Sequence, residues 1–163
     1  MIKNFLIDMD GVLYEGMHLI PGALQAIEYL QRKDYNFLLF TNTNSKTKDS
    51  LMRKLSDLGF GILSDSVFTA LDATMDYIVS KKPNAKIFPL QNKEIIKFMN
   101  DSGLKMAQNE SEDIDFVVLG VDYSNTFQKM DSAFRVLYNT KAEFLLVSGD
   151  RFYPGDGKSV MGP

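Results

Sequence analysis

The chain has 163 residues, of which 45% are hydrophobic and 24% are charged, a composition typical of a soluble globular domain. Its net charge of −3 is spread along the chain, without the basic stripe of a nucleic-acid-binding protein or the polybasic segment of a membrane-binding one. It contains no cysteine, which excludes a disulfide framework and thiolate chemistry. The short N-terminal apolar run is neither a signal peptide nor a membrane span, so we expect a cytoplasmic protein with no nucleic-acid or membrane partner.

The first elements predicted along the chain are a strand, a flap and a helix. Residues 4–7 (NFLI) form a continuous apolar run that ends at Asp8, a pattern typical of a strand buried on both faces. Residues 11–20 are punctuated by glycine and predict a small hairpin or flap. A helix is expected to begin near Pro21, with one apolar face formed by Ala23, Ile27 and Leu30.

Two further strand–helix pairs follow. Residues 35–40 (YNFLLF) predict a strand, and Ser45 or Thr47 could cap the next helix. The apolar face of that helix is Leu51, Leu55 and Leu58, and the basic residues interpreted as its solvent-exposed side are Lys46, Lys48, Arg53 and Lys54. Residues 66–70 predict a third strand, before a helix whose inward side chains are expected to be Leu71, Met75, Ile78 and Val79. This alternation favours a Rossmann-like α/β fold with a parallel sheet.

The second half of the chain repeats the α/β alternation after a break near residues 81–84 (KKPN). Strands are expected at residues 85–88, 115–120 and 143–147, and helices at residues 93–102 and 126–138. The tail after residue 147 is rich in glycine and proline and is expected to be a loop. The sequence therefore predicts one α/β unit over residues 1–82 and a second over residues 83–163.

The tetrapeptide DMDG at residues 8–11 is the strongest chemical feature of the sequence. Because ligands of parallel α/β sheets bind beyond the carboxyl ends of the strands, Asp8 and Asp10 are expected at such a site. Two close carboxylates attract a divalent cation, one can attack phosphorus, and the other can transfer protons. Gly11 permits close approach of the backbone to a ligand. An acidic turn is the simpler alternative, and a calcium-binding EF-hand is excluded because the acids that it needs are missing.

Thr41 and Asn42 form the second chemical feature, at the end of the next predicted strand. A hydroxyl group and backbone amides at a strand end, just before a helix, can hold phosphate oxygens. Threonine and asparagine are also common loop and cap residues, so the pair alone leaves both interpretations open. Next to the DMDG turn on an adjacent strand, it favours phosphate binding.

Together these residues resemble the haloacid dehalogenase superfamily. Residues 8–12 (DMDGV) resemble its first motif, and residues 40–45 (FTNTNS) resemble its second. The chain is most similar to the NagD-like and nitrophenylphosphatase-like branch, which carries an α/β cap inserted between motifs two and three. Further matching segments are residues 19–23, 65–69 and 118–122, then Asp150, Tyr153, Pro154 and Gly157.

The resemblance implies a phosphatase that depends on Mg²⁺ and acts on a small phosphorylated metabolite through an aspartyl-phosphate. Asp8 would be the nucleophile and a magnesium ligand, and Asp10 would be the general acid and base and would give its backbone carbonyl to the metal. Thr41 and Asn42 would bind the phosphoryl group. Asp150, on a loop of the cap formed by residues 83–163, would contact the leaving group. Cap-to-cap homodimers are common in this branch.

Two departures from the family pattern change what we expect. Ser148 and Gly149 replace the usual Thr-Asn before the cap aspartate, which weakens the assignment of Asp150. The family's third-motif lysine and fourth-motif acids follow the cap, and the chain stops at Pro163 without them. Lys158 lies in a glycine-rich segment, so we do not assign it as a substitute for the third-motif lysine. We therefore expect residues 1–163 alone to be weakly active or inactive, with an open edge on the strand that carries Asp8.

Two other functions remain open from the sequence. One is a truncated or non-catalytic module that binds phosphate or metal without turnover. The other is a receiver-like phospho-acceptor domain, which also uses acids and a threonine on a parallel sheet. The spacing of the two acids at residues 8–11 and the additional unit from residue 85 onward argue against the receiver.

Overall fold

The computed structural model describes residues 4–150, 152–155 and 158–161. Its helices are α1 (Ala23–Arg32), α2 (Lys48–Asp57), α3 (Ala70–Lys81), α4 (Lys93–Asp101) and α5 (Phe127–Asn139). Its strands are β1 (Asn4–Asp8), β2 (Tyr14–Glu15), β3 (His18–Leu19), β4 (Asn36–Thr41), β5 (Val67–Thr69), β6 (Lys86–Leu90), β7 (Lys105–Met106), β8 (Phe116–Leu119), β9 (Glu143–Leu146), β10 (Phe152–Gly155) and β11 (Lys158–Met161). No helix of the described residues is long and apolar enough to cross a membrane. The predicted α/β class with parallel sheets is confirmed.

The first sheet is parallel, and its strands lie in the order β1-β4-β5 within the described residues. Its register pairs Asp8 with Phe40 and Thr41 with Thr69, so the three strands end at one edge. Helix α1 packs into the core below this sheet, and its buried residues are Ala23, Ile27 and Leu30, as predicted. The β2–β3 pair is antiparallel and forms the predicted flap.

Strand β1 is not buried on both faces, so that prediction is wrong. Its residues alternate between exposed and half-buried, and Leu6 is 75% exposed. The reason is its position, because β1 is an edge of the first sheet in the described part of the chain and only one of its faces meets the core.

The second sheet is also parallel, in the order β7-β6-β8-β9 for the strands that the structure describes. Apolar side chains on its two faces enter separate clusters, with Ile87 and Val118 in one and Phe88 and Val117 in the other. Strands buried on both faces read as continuous apolar runs, which is why this sheet was apparent in the sequence.

Two further predictions of local structure are wrong. Val79 was expected to face inward on α3, but it is 47% exposed, while Leu71 and Ile78 are buried. The tail was expected to be a loop, but β10 and β11 form an antiparallel hairpin. Glycine and proline at 154–155 and 157 indicate turns, and the short strands on each side of the turn have no clear strand pattern in the sequence. Gly157 lies outside the described residues.

Side-chain caps begin helices α2 to α5. Thr47 accepts from the backbone amide of Ser50 and begins α2, in agreement with one of the two predicted caps. Thr69 and Asp72 form a capping box at α3. Asn92 and Thr126 cap α4 and α5. Each cap satisfies a backbone amide that would otherwise lack a partner, and so fixes where the loop after a strand becomes a helix.

Candidate functional site

The ends of β1 and β4 bring the two sequence motifs together. Because these parallel strands are in register at Asp8 and Phe40, Thr41 lies one residue beyond the partner of Asp8. Asp8 is exposed at the strand end, and its Oδ1 accepts a hydrogen bond of 2.8 Å from the backbone amide of Met9. Thr41 is only 2% exposed. The predicted placement of Asp8 and Thr41 on neighbouring strand ends is confirmed.

A tight turn after Asp8 directs Asp10 back toward the strand ends. Met9 is fully buried and anchors the turn, and its carbonyl accepts from the amide of Leu13 at 2.9 Å. Gly11 has a φ of 80°, a conformation that disfavours any residue with a Cβ, and its amide donates to the carbonyl of Tyr14 at 2.8 Å. The turn therefore needs glycine at residue 11 for its backbone conformation.

Both carboxylate oxygens of Asp10 have a partner. The hydroxyl of Thr43 donates to Oδ2 at 3.3 Å, and the ammonium of Lys54 lies 3.7 Å from Oδ1. The backbone amide of Thr43 in turn donates to the hydroxyl of Thr41 at 3.1 Å. The loop after β4 thus links the Thr41 hydroxyl to the Asp10 carboxylate through one residue, Thr43.

Lys54 does not lie on the solvent-exposed side of α2, which corrects the interpretation from the sequence. Its side chain is 12% exposed, and its ammonium lies 3.7 Å from the centroid of the Tyr14 ring. Burial lowers the pKa of Lys54, and the Asp10 carboxylate opposes that shift. The spacing of α2 could have identified this lysine, since it is three residues after Leu51 and four before Leu58 and so borders the buried face.

The ring that supports Lys54 is itself buried beside the two acids. Tyr14 is fully buried, and burial, followed by the negative charge of Asp10, raises the pKa of its phenol well above the usual value. The phenol therefore stays protonated and neutral over the physiological pH range. Its ring gives Lys54 an apolar face with a negative quadrupole.

Asp150 reaches the first sheet from the far end of the second. Its Oδ2 accepts from Asn42 Nδ2 at 2.5 Å and from the hydroxyl of Ser148 at 2.8 Å. Ser148, which departs from the family's usual Thr-Asn before the cap aspartate, is thus a hydrogen-bond partner of Asp150. Two more contacts join the same edges, from Asn92 Nδ2 to the carbonyl of Ser45 at 3.2 Å and from Thr47 to Glu94 at 3.1 Å.

The acids at this site could hold a hard cation, although they are few. Among the described residues no group of three or more Asp, Glu, His or Cys side chains is placed to bind a metal. Mg²⁺ is nevertheless commonly bound through one or two carboxylates, with waters and substrate phosphate completing its shell. The exposed carboxylate of Asp8 and the backbone carbonyl of Asp10 fit that mode of binding.

The structure brings together all the candidate residues from the sequence, which are Asp8, Asp10, Gly11, Thr41, Asn42 and Asp150. Lys158 lies in β11 by its backbone. Sequence reasoning missed Tyr14, Thr43, Lys54 and Ser148. Thr43 and Ser148 belong to segments that had been identified, but their hydrogen bonds depend on how two loops fold.

Comparison with protein families identifies this arrangement. A family model described as haloacid dehalogenase-like hydrolase matches residues 5–105, which include both acids, the Thr41–Asn42 pair and Lys54. The chain belongs to the haloacid dehalogenase-like hydrolase family. The resemblance inferred from motifs one and two is thereby confirmed.

Individual relatives of this haloacid dehalogenase-like chain include phosphatases. An acid sugar phosphatase from Staphylococcus epidermidis is 32% identical over 162 residues, covering 95% of this chain and 61% of the relative. A solved 4-nitrophenylphosphatase from Thermotoga maritima is 29% identical, with a TM-score of 0.88 over 99% of this chain and 60% of that one. A structure described as a nagD protein is 28% identical, with a TM-score of 0.89 over 99% of this chain and 62% of that one. The chain thus spans about three fifths of the length of these relatives.

Proposed function

We propose that the protein containing these residues is a magnesium-dependent phosphomonoester hydrolase that acts on a small phosphorylated metabolite through an aspartyl-phosphate. Membership of the haloacid dehalogenase-like family supports a phosphatase, since relatives of this chain are named as phosphatases. The observation that carries the proposal is that Asp8 and Thr41 lie at the ends of the neighbouring strands β1 and β4. Beside them, the carboxylate of Asp10 lies between Thr43 and Lys54.

The first step transfers the phosphoryl group to the protein. A carboxylate oxygen of Asp8 attacks phosphorus, the bond from phosphorus to the ester oxygen breaks, and the carboxylic acid form of Asp10 gives its proton to that oxygen. The alcohol leaves, and an acyl phosphate remains on Asp8. The exposed carboxylate of Asp8 is accessible to a substrate at the strand ends.

The second step returns the protein to its starting state. Asp10, now a carboxylate, takes a proton from a water molecule, and the oxygen of that water attacks phosphorus. The bond from phosphorus to the Asp8 oxygen breaks, inorganic phosphate is released, and Asp10 is again protonated. One residue serves both steps, so its carboxyl group must be held in one place throughout.

The remaining residues hold the phosphoryl group and the metal. Thr41, Asn42 and the backbone after Gly11 would bind phosphoryl oxygens. Asp8 and the backbone carbonyl of Asp10 would bind Mg²⁺, which when bound neutralises charge on the phosphoryl oxygens. Residues 83–163 would act as the cap, and the contact of Asp150 with Asn42 supports a role for Asp150 beside the leaving group.

A phosphate- or metal-binding module without turnover is the second candidate. The observation that favours it is that no group of three or more metal-binding side chains lies together in the described residues. It predicts that Mg²⁺ and inorganic phosphate bind while no ester is cleaved. A cytoplasmic location and a homodimer are further proposals that rest on the sequence and on the family resemblance.

Turnover of p-nitrophenyl phosphate by the full natural protein, measured with and without Mg²⁺, tests the proposal. We expect magnesium-dependent release of p-nitrophenol that is abolished by Asp8→Asn, because an amide cannot attack phosphorus as a carboxylate does. Asp76→Asn is the matched control, because it makes the same chemical change at an exposed residue of α3, away from the site. Activity in Asp8→Asn equal to that of the control would place the nucleophile elsewhere. No turnover in the wild type, with phosphate still bound, would support the module.

A further inference from the structure

Lys54 is placed to act on Asp10. Its ammonium lies 3.7 Å from Asp10 Oδ1 and 3.7 Å from the Tyr14 ring centroid, and its side chain is 12% exposed. A lysine on a helix surface normally extends into water and samples many rotamers. Here the ring below and the carboxylate beside it restrict the positions that the ammonium can take.

The confinement follows from rigid parts of the fold. Tyr14 is fully buried in the core of the first sheet, and the backbone bridge between Asp10 and Tyr14 fixes the ring relative to the acid. Helix α2 is held on the other side by Leu51 and Leu55, both buried. Lys54 therefore connects a packed helix to a carboxylate in a turn.

The second oxygen of Asp10 is held independently. The hydroxyl of Thr43 donates to Oδ2, so the two oxygens are fixed by groups from different elements, the loop after β4 and helix α2. A carboxylate held at only one oxygen can rotate about its last bond, and a contact at the second oxygen restricts that rotation. Proton transfer requires this control, because the acid must lie within hydrogen-bond reach of the leaving oxygen.

We infer that Lys54 is a positioning residue that holds the Asp10 carboxyl group for proton transfer to the leaving group. The inference rests on the proposed function, since it assigns a role within that reaction. Lys54 acts through Asp10 and through the ring of Tyr14, and it is not assigned a contact with the substrate.

This role makes a prediction that a purely structural role does not. Phenyl phosphate and p-nitrophenyl phosphate have nearly the same shape, but p-nitrophenolate leaves more readily because the nitro group stabilises its charge. The poorer leaving group depends more on protonation by Asp10. Loss of Lys54 should therefore lower kcat/KM for phenyl phosphate much more than for p-nitrophenyl phosphate.

The experiment compares Lys54→Met, Lys54→Gln and Lys54→Arg in the full natural protein with both substrates. Lys97→Met is the matched control, because Lys97 makes an exposed ion pair with Asp101 on α4. Since general acid catalysis contributes roughly 10²–10⁴-fold, we expect the neutral variants to lose about 10- to 100-fold with phenyl phosphate and only a few-fold with p-nitrophenyl phosphate. Lys54→Arg should recover most of the loss, and Lys97→Met should match the wild type.

Two neutral variants are included so that one folded protein, checked by circular dichroism, is enough for the comparison. Equal losses with both substrates, a loss confined to KM, or no loss would overturn the inference, because Lys54 would then hold the fold, bind the phosphoryl group or do neither. Failure of the proposed function would look different. In that case the wild-type protein would not cleave either ester, or would cleave both without Asp8.

Discussion

Gly120 and Gln91 meet at the carboxyl edge of the second sheet, and their contact predicts the effect of adding one methyl group. An ideal Cβ at Gly120 would lie 2.3 Å from both terminal atoms of Gln91 and 2.5 Å from its Cδ. The φ of Gly120 is outside the left-handed region, so alanine is acceptable to the backbone there. Gly120→Ala therefore tests the side-chain contact rather than backbone strain.

The cost of this change depends on how far the buried Gln91 side chain must move. Gln91 is 1% exposed, and its amide must move by about 1 Å to reach an ordinary van der Waals distance. A shift of the backbone instead would disturb the hydrogen bond of 3.0 Å that the amide of Gly120 donates to the carbonyl of Leu90. Overpacking of a buried site costs about 1–3 kcal/mol, so we expect Gly120→Ala to lower the free energy of unfolding by that amount.

A double-mutant cycle with Gln91→Ala isolates the contact. Once the Gln91 side chain is removed, Gly120→Ala should be neutral or slightly stabilising. Alanine lowers the conformational entropy of the unfolded chain, which raises the free energy of unfolding by about 0.4–1 kcal/mol. Gly61→Ala is the control, since no atom of the described residues lies within 4 Å of its ideal Cβ and its φ is ordinary. Urea unfolding followed by circular dichroism of the full natural protein measures each variant.

A contrary result is that Gly120→Ala is as stable as Gly61→Ala, or that it lowers the free energy of unfolding equally with and without the Gln91 side chain. Either result would mean that the Gln91 amide does not lie over Gly120. The loops that follow the neighbouring strands β6 and β8 would then be arranged differently.

Three further predictions concern the reaction. Asp10→Asn in the full natural protein should lower kcat for phenyl phosphate by roughly 10²–10⁴-fold, measured by phosphate release, and wild-type activity would exclude Asp10 as the acid. Titration with Mg²⁺ should shift amide resonances near Asp10 in the weak, roughly millimolar range expected for one or two carboxylate ligands, and tight Zn²⁺ binding without a Mg²⁺ response would contradict the assignment. Residues 1–163 alone should turn over p-nitrophenyl phosphate little faster than their Asp8→Asn variant, because loss of even one electrostatic donor costs about 10²–10³-fold. Clear turnover would show that another residue supplies the charge of the family lysine.

The parallel sheets and the meeting of Asp8 with Thr41 could be predicted from the sequence. Apolar runs of strand length, each followed by an amphipathic helix, leave few arrangements other than a parallel sheet. Polar residues directly after two such runs then lie at one edge of the sheet. These inferences needed only the order and periodicity of residues along the chain.

The supporting contacts of the site could not be predicted in the same way. Lys54 is separated from Asp10 by more than forty residues, and a lysine beside an apolar stripe is compatible with a solvent-exposed or a buried ammonium. The hydrogen bond from Asn42 to Asp150 joins two loops 108 residues apart, and loop geometry depends on tertiary packing. The exposure of Leu6 depends on which strands flank β1, which the local pattern of residues 4–7 does not encode.

We expect Asp8 to carry the phosphoryl group during turnover. The direct measurement is to quench the full natural protein with acid during steady-state hydrolysis of p-nitrophenyl phosphate and to locate the acid-stable acyl phosphate by peptide mass spectrometry. We expect one phosphate on the peptide that contains Asp8, absent without Mg²⁺ and absent in Asp8→Asn. A phosphate on any other residue, or full turnover in Asp8→Asn, would contradict it.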